Sequence, residues 1–243
     1  SYLPGHSHVV YPKDIAYKLP KGSHLGIQVH YVSLDEPVED WLEFGVYFAE
    51  GRVDQLVRVI GTDYRSLEIP PYEPHYEIVD EVELLHDLWA LSSGIHMHLR
   101  GKSYTMEAVL PDGEVKLITE VPEYDFNWQS NYVLAEPVFM PQGTKFRVTS
   151  VWDNSADNPL NPDPSATVRY GPWTNDEMVN SWAHVVLDGE HLGLKIEDGR
   201  LAGRFEDAQT SQQPFLLQTL PQAPSFHRGE PDSSGSSGSS DSE

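Results

Sequence analysis

Two histidines separated by one residue, His96 and His98, stand in the run Gly94-Ile95-His96-Met97-His98-Leu99-Arg100-Gly101-Lys102. On an extended strand successive side chains alternate faces, so this spacing sends both imidazoles to one side and Met97 to the other. Imidazole is the commonest side-chain ligand for transition metals, and two on one face can converge on one ion. The same spacing also suits a strand carrying two solvated or core-satisfied histidines, and alone it does not separate the two readings. Of the other histidines, His6 and His8 follow the turn signal Pro4-Gly5 and read as exposed loop residues. His30 falls in the alternating run Leu25 to Tyr31, which predicts a strand with Ile27, Val29 and Tyr31 on one face and Gln28 and His30 on the other.

Composition narrows the chemistry. The chain has no cysteine, which excludes disulfides, thiolate zinc sites and thiol catalysis, so any metal must be held by His, Met, carboxylate or backbone oxygen. Sixteen Lys and Arg against 38 Asp and Glu give a net charge of −22. That field repels nucleic acid and anionic membranes and attracts cations, so no nucleic-acid partner is expected. No run reaches the roughly eighteen apolar residues of a membrane span. No signal peptide is visible at Ser1, and the abrupt opening predicts a processed or truncated start.

The elements that must position the histidine pair read as short strands. Alternation or short apolar spacing marks 42–48, 55–60, 76–82, 104–110, 114–118, 131–134, 145–152 and 178–187, and Pro111-Asp112-Gly113 is a hairpin signal between two of them. The segment 64–76 is proline-rich and extended, and 153–164 is a polar turn-forming loop. One short helix is predicted over Glu83 to Leu91, with His86 at its surface or cap. At 243 residues, many short strands with almost no helical periodicity predict an all-β chain folded as an antiparallel β-sandwich. Asp188-Gly189 and Asp198-Gly199 punctuate a further hairpin extension over 191–220. From 221 to 243 proline, serine and glycine dominate, which predicts a disordered, flexible acidic tail.

Four motifs resemble the copper type II ascorbate-dependent monooxygenases, the family of peptidylglycine α-hydroxylating monooxygenase and dopamine β-monooxygenase, and in particular their cysteine-poor bacterial relatives. They are Leu19-Pro20-Lys21-Gly22-Ser23 leading into Ile27-Gln28-Val29-His30-Tyr31; His96-Met97-His98-Leu99-Arg100-Gly101-Lys102; Tyr124-Asp125-Phe126-Asn127-Trp128-Gln129 with Asp153-Asn154-Ser155; and Thr174-Asn175-Asp176-Glu177-Met178. The resemblance covers about Tyr2 to Val186. It implies two jelly-roll β-sandwich domains facing each other, each with one copper. On that pattern 1–32 is a remnant of the first domain, its last strands, and 33–190 is the copper-binding catalytic domain. His96, His98 and Met178 are then the ligands of the oxygen-activating copper, and His30 is one ligand of the electron-supplying copper. The remaining ligands of that second copper are expected upstream, in a missing N-terminal domain or a second chain. Ascorbate or another one-electron reductant, a small-molecule or peptide substrate, and an extracellular or periplasmic setting are implied in the same way.

The chemistry of the residues agrees with that role. A copper ion cycling between two oxidation states is served by neutral imidazoles plus a soft, weak donor, which two His and one thioether supply. A lone methionine is more often a core gap-filler, so Met178 draws its candidacy from the motif and its polar approach, Thr174 to Glu177. The Tyr124 to Gln129 run and Asp153-Asn154-Ser155 read as structural, with side chains bonding backbone to pin long loops, and a ligand-binding role for Asn127 or Trp128 is the alternative. Two function classes stay open: the catalytic half of a C–H-hydroxylating monooxygenase, and a noncatalytic copper-binding or assembly module on the same sandwich. A carbohydrate-binding sandwich using Trp41, Trp89 or Trp173 has no support from their spacing.

Overall fold

The computed structural model describes residues 8–27, 29, 31, 36–202 and 216–219. In chain order their strands are β1 (Ile15–Ala16), β2 (Gly51–Val53), β3 (Gln55–Leu56), β4 (Arg58–Ile60), β5 (Glu68–Ile69), β6 (Tyr76–Leu84), β7 (Leu88–Met97) and β8 (Gly101–Val109). They continue with β9 (Val115–Val121), β10 (Tyr132–Met140), β11 (Lys145–Trp152), β12 (Val168–Arg169), β13 (Val179–Leu187), β14 (Leu194–Glu197), β15 (Arg200–Leu201) and β16 (Leu217–Thr219). No helix forms among the described residues.

Two sheets carry the architecture. One runs β10-β7-β13-β4 and the other β16-β6-β11-β8-β9, and their pairings are antiparallel. Period-two alternation makes one face of each sheet apolar, and those faces meet in a common core. Leu88, Ala90, Ile95, Met97, Val179, Ala183 and Val185 come from the first sheet; Tyr76, Ile78, Val82, Tyr104, Met106, Phe146, Val148 and Trp152 come from the second. Burying each such large side chain stabilises the fold by roughly 1.5–3 kcal/mol. The fold is therefore an all-β sandwich. Smaller ladders flank it: β5 with β12, β2 with β14 and β15, and the parallel pair β1 with β3.

The predicted hairpin at 111–113 joins β8 to β9, and Gly113 takes the φ of +91° that an L side chain would resist. The predicted strand at 145–152 matches β11, and 76–82 lies within β6. The predicted strand over 178–187 starts one residue later, leaving Met178 just outside β13.

Three expectations are corrected. The helix over Glu83 to Leu91 does not form: β6 runs to Leu84, a turn follows, and β7 begins at Leu88. Leu84 and Leu88 are both fully buried in the sandwich core, so ladder pairing and burial in two strands outweigh the helical spacing of the leucines. The strand predicted over Leu25 to Tyr31 is not seen in its described residues, and Ile27, Val29 and Tyr31 are about half exposed or more. The strand-like run 42–48 is likewise irregular, with Leu42, Phe44, Val46, Tyr47 and Phe48 exposed. Alternation yields a strand only where a second strand supplies hydrogen-bond partners, and these runs have none among the described residues. His6, His30 and the tail at 221–243 lie outside the described residues.

Candidate metal centre

The histidine pair sits where the chain crosses from one sheet to the other. β7 ends at Met97 in the four-stranded sheet and β8 starts at Gly101 in the five-stranded sheet, so His98-Leu99-Arg100 is the crossing turn. Ile95 and Met97 point into the core, which turns His96 to the outer face of the β7–β13 pair. The two imidazoles converge as the spacing predicts, with ring centroids 5.1 Å apart at 74°. His96 is half-buried and His98 is buried.

Their orientation is fixed by partners that can only accept. Gln129 Nε2 donates to the Phe126 carbonyl oxygen at 2.7 Å, which leaves Gln129 Oε1 facing His96 Nδ1 at 2.6 Å. An amide oxygen cannot donate, so His96 Nδ1 carries a proton, which in the neutral ring places the lone pair on Nε2. His98 Nδ1 lies 3.2 Å from the Asp176 carbonyl oxygen, and the same argument puts the His98 lone pair on Nε2. Metal-ligating histidines are held in this way, with the far nitrogen tied to a carbonyl or carboxylate. Phe126 stands against both rings, at 6.4 Å from His96 and 6.2 Å from His98, and supplies an apolar wall.

Met178 arrives on the same face. Val179 pairs with Met97 and Asn180 with His96, so Met178, one residue beyond the ladder, stands beside His98. Asn180 Nδ2 lies 3.2 Å from Met178 Sδ, which puts the thioether next to the cross-strand neighbour of His96. The donor set brought together is two imidazole nitrogens of fixed tautomer and one half-buried thioether, a combination that fits a soft or borderline ion such as copper. Among the described residues no group of three or more His, Asp or Glu that could hold a metal ion is found.

A buried polar cluster holds the crossing turn. Glu177 has no exposed surface and accepts the backbone N–H of His98 at 3.0 Å and of Arg100 at 2.7 Å. Burial pushes its carboxyl up to about 7, against the N–H groups of Arg100, His98 and Met178 and the Arg100 guanidinium, which pull it down. Arg100 is buried, donates from Nε to Asn154 Oδ1 at 2.9 Å and from Nη1 to the Asn175 carbonyl at 2.9 Å, and burial lowers its pKa. Asn154 donates to the carbonyls of Pro70 and Ala166, so the Asp153-Asn154-Ser155 run pins loops as its sequence suggests. Tyr124 both donates to the Met97 carbonyl at 2.7 Å and accepts the Met97 N–H at 3.0 Å.

Other sequence candidates stand apart. His8 and His24 are exposed, and Trp41, Trp128 and Trp173 are exposed singly. Gln129 and Glu177 are the residues whose site roles sequence reasoning missed. Gln129 lay inside a run read as structural, and Glu177 was visible only as a polar approach to Met178. No protein-family model and no curated protein matches this chain.

Proposed function

We propose that this chain carries the oxygen-activating copper centre of a monooxygenase that hydroxylates a C–H bond, on the pattern of the copper type II ascorbate-dependent enzymes its motifs resemble. The observation that carries this reading is the pair of converging imidazoles, each with Nδ1 held by an acceptor-only partner and with a methionine sulfur on the same face. Copper held by His96, His98 and Met178 would supply one-electron redox chemistry and O₂ reduction. The chain's own residues do the rest. Gln129 and the Asp176 carbonyl hold the two Nδ1 atoms and so set how both rings are turned. Phe126 limits water at the two rings. Electrons would come from ascorbate or another one-electron donor through a second copper, for which His30 is a candidate ligand and a further domain or chain the source of the others.

Met178→Leu tests the reading. Hard or borderline ions gain little from a thioether, whereas Cu(I) gains more. The variant is expected to bind Cu(I) about tenfold or more weakly, to bind Zn(II) nearly as wild type, and to lose less than about 1.5 kcal/mol of fold stability. Competition titrations read the affinities, and X-ray absorption reads a copper–sulfur neighbour in the reduced protein. No sulfur neighbour, or unchanged Cu(I) affinity, returns Met178 to the packing and removes the redox reading. Copper bound as expected, but no ascorbate-dependent product once the partner half is supplied, favours the noncatalytic copper-binding module.

A further inference from the structure

The run Trp41-Leu42-Glu43-Phe44-Gly45-Val46-Tyr47-Phe48 alternates like a strand and lies uncovered on the surface. Trp41 is 78% exposed, Phe44 64%, Tyr47 87% and Phe48 64%, and Leu42 and Val46 are exposed beside them. A large aromatic side chain offers roughly 150–250 Å², so these four leave on the order of 500 Å² open to water. Monomeric proteins seldom leave an apolar patch of that size uncovered unless it docks something. Tyr31 Oη donates to Asp40 Oδ2 at 3.2 Å, which ties the exposed run at 25–31 to the start of this one. The backbone is open too: among the described residues no N–H or carbonyl from 42 to 48 bonds another backbone group. Such a row is a template for a further strand. β2 does not supply it, because Gly51, at φ +78°, turns the chain between the run and β2, and β2 is paired with β14. One end is anchored, with Phe48 Cβ 2.9 Å from where a Cβ on Gly199 would stand, in the turn between β14 and β15.

Charge selects the occupant. Glu36, Glu39, Asp40, Glu43 and Glu50 lie in or beside the run, and no Lys or Arg stands between 36 and 51. Drawn out as a strand, Leu42, Phe44, Val46 and Phe48 share one face, and Trp41, Glu43 and Tyr47 share the other. A second copy of this chain fits badly. Antiparallel pairing centred on Gly45 sets Asp40 opposite Glu50, parallel in-register pairing sets every carboxylate opposite itself, and each copy carries a charge of −22. A strand with lysine or arginine at alternate positions meets the carboxylates with cations, and those cations also find the ring faces of Trp41 and Tyr47. We propose that 42–48 is a docking strand that pairs edge to edge with an extended segment of a partner polypeptide, apolar on one face and rich in lysine or arginine on the other. Main-chain hydrogen bonds supply the affinity and the alternate side chains the choice of partner. The docking holds whether or not the histidine pair binds copper.

The test uses the full chain and three labelled synthetic peptides that alternate valine with lysine, with threonine or with glutamate. Fluorescence anisotropy is expected to rank them in that order, with the lysine peptide about tenfold or more tighter than the glutamate peptide and weakening as salt rises. Its binding is expected to slow amide hydrogen exchange within 42–48. Gly45→Pro and Val46→Pro between them remove an N–H from each edge of the run, and at least one is expected to lower the affinity about tenfold while the thermal midpoint stays as in wild type, because the run is exposed. Glu43→Lys is expected to narrow the preference for the lysine peptide. No binding, equal binding of the lysine and threonine peptides, or protection that falls outside 42–48 would overturn the proposal. Sedimentation of the chain alone checks the second copy: a dimer that Val46→Pro dissociates would make 42–48 a self-pairing strand and overturn the proposal too. Proline variants that fail to fold would show that the run belongs to the core, which overturns it as well.

Discussion

The outer face of the β7–β13 pair carries two histidine settings a few residues apart, and they are built differently. At one end His96 and His98 each meet an acceptor that cannot donate, Gln129 Oε1 and the Asp176 carbonyl. At the other end His184 Nδ1 lies 2.8 Å from Ser92 Oγ and 3.1 Å from Tyr11 Oη, two hydroxyls able to donate or accept. Burial and the Tyr17 hydroxyl raise the Tyr11 pKa, so its phenol stays protonated and can donate to His184. Tyr11 and Tyr17 also stand edge-on to the His184 ring, at 6.0 and 5.9 Å. The first setting fixes which ring nitrogen carries a proton. The second leaves the tautomer open and packs the N-terminal segment onto the sheet, where β1 reaches β3. Two histidines on one sheet face thus differ in what their partners permit, and that difference separates a candidate ligand from a packing residue more sharply than spacing does.

The comparison is broken most severely through the candidate ligands. His96→Ala or His98→Ala is expected to weaken Zn(II), Cu(II) and Cu(I) together, by more than the about 10–100-fold that losing an outer partner costs. Competition titration of each ion reads the loss, and a drop of less than tenfold would show that the pair is not the metal site. A smaller effect sharpens the comparison through the acceptor. Gln129→Leu removes the oxygen that holds His96 Nδ1–H and is expected to cost about 10–100-fold in affinity for all three ions. Titrating the same ions checks it, and unchanged affinity would mean that His96 needs no fixed tautomer.

Much of this was legible in the chain, for local reasons. The alternation of Phe146, Val148, Ser150 and Trp152 gave β11, and Pro111-Asp112-Gly113 gave a turn whose positive φ glycine accepts. The convergence of His96 and His98 followed from their spacing near the end of a strand. What was illegible depended on distant partners. Leu84, Leu88 and Leu91 fit a helix or two strands, and the decision came from core contacts across the sandwich. The alternating runs at 25–31 and 42–48 look like strands in sequence, yet their described residues have no ladder to join. Gln129 lies 33 positions from His96, so no local pattern announces that it orients the ring. The burial of Glu177 rests on donors from three separate elements, which a run such as Asp176-Glu177-Met178 cannot display. Trp182 is a related case: its indole lies where a Cβ at Gly94 would stand, so a glycine inside β7 is a packing requirement rather than a break.

The smallest expected effect tests the control side of the comparison. His184→Phe keeps an aromatic ring against Tyr11 and Tyr17 but removes the nitrogen that meets Ser92 and Tyr11. Two hydroxyls then lose a partner at the half-buried sheet face, which is expected to cost about 1–2 kcal/mol of stability, read by denaturant unfolding. The N-terminal segment should loosen with it, read as faster amide exchange at Ile15, whose N–H bonds the Pro12 carbonyl, and at Gln55. Metal affinity at His96 and His98 should stay within about twofold of wild type, because no ligand or orienting partner has changed. One path could carry an effect between the two settings. Ser92 Oγ lies 3.5 Å from Asn131 Oδ1, which accepts Trp182 Nε1–H at 3.2 Å, and Trp182 rests on Gly94 beside His96. The first of those links is at the outer limit of a hydrogen bond and transmits little. A tenfold loss of metal affinity in His184→Phe would mean that this file acts as one coupled network and that the two histidine settings are not independent.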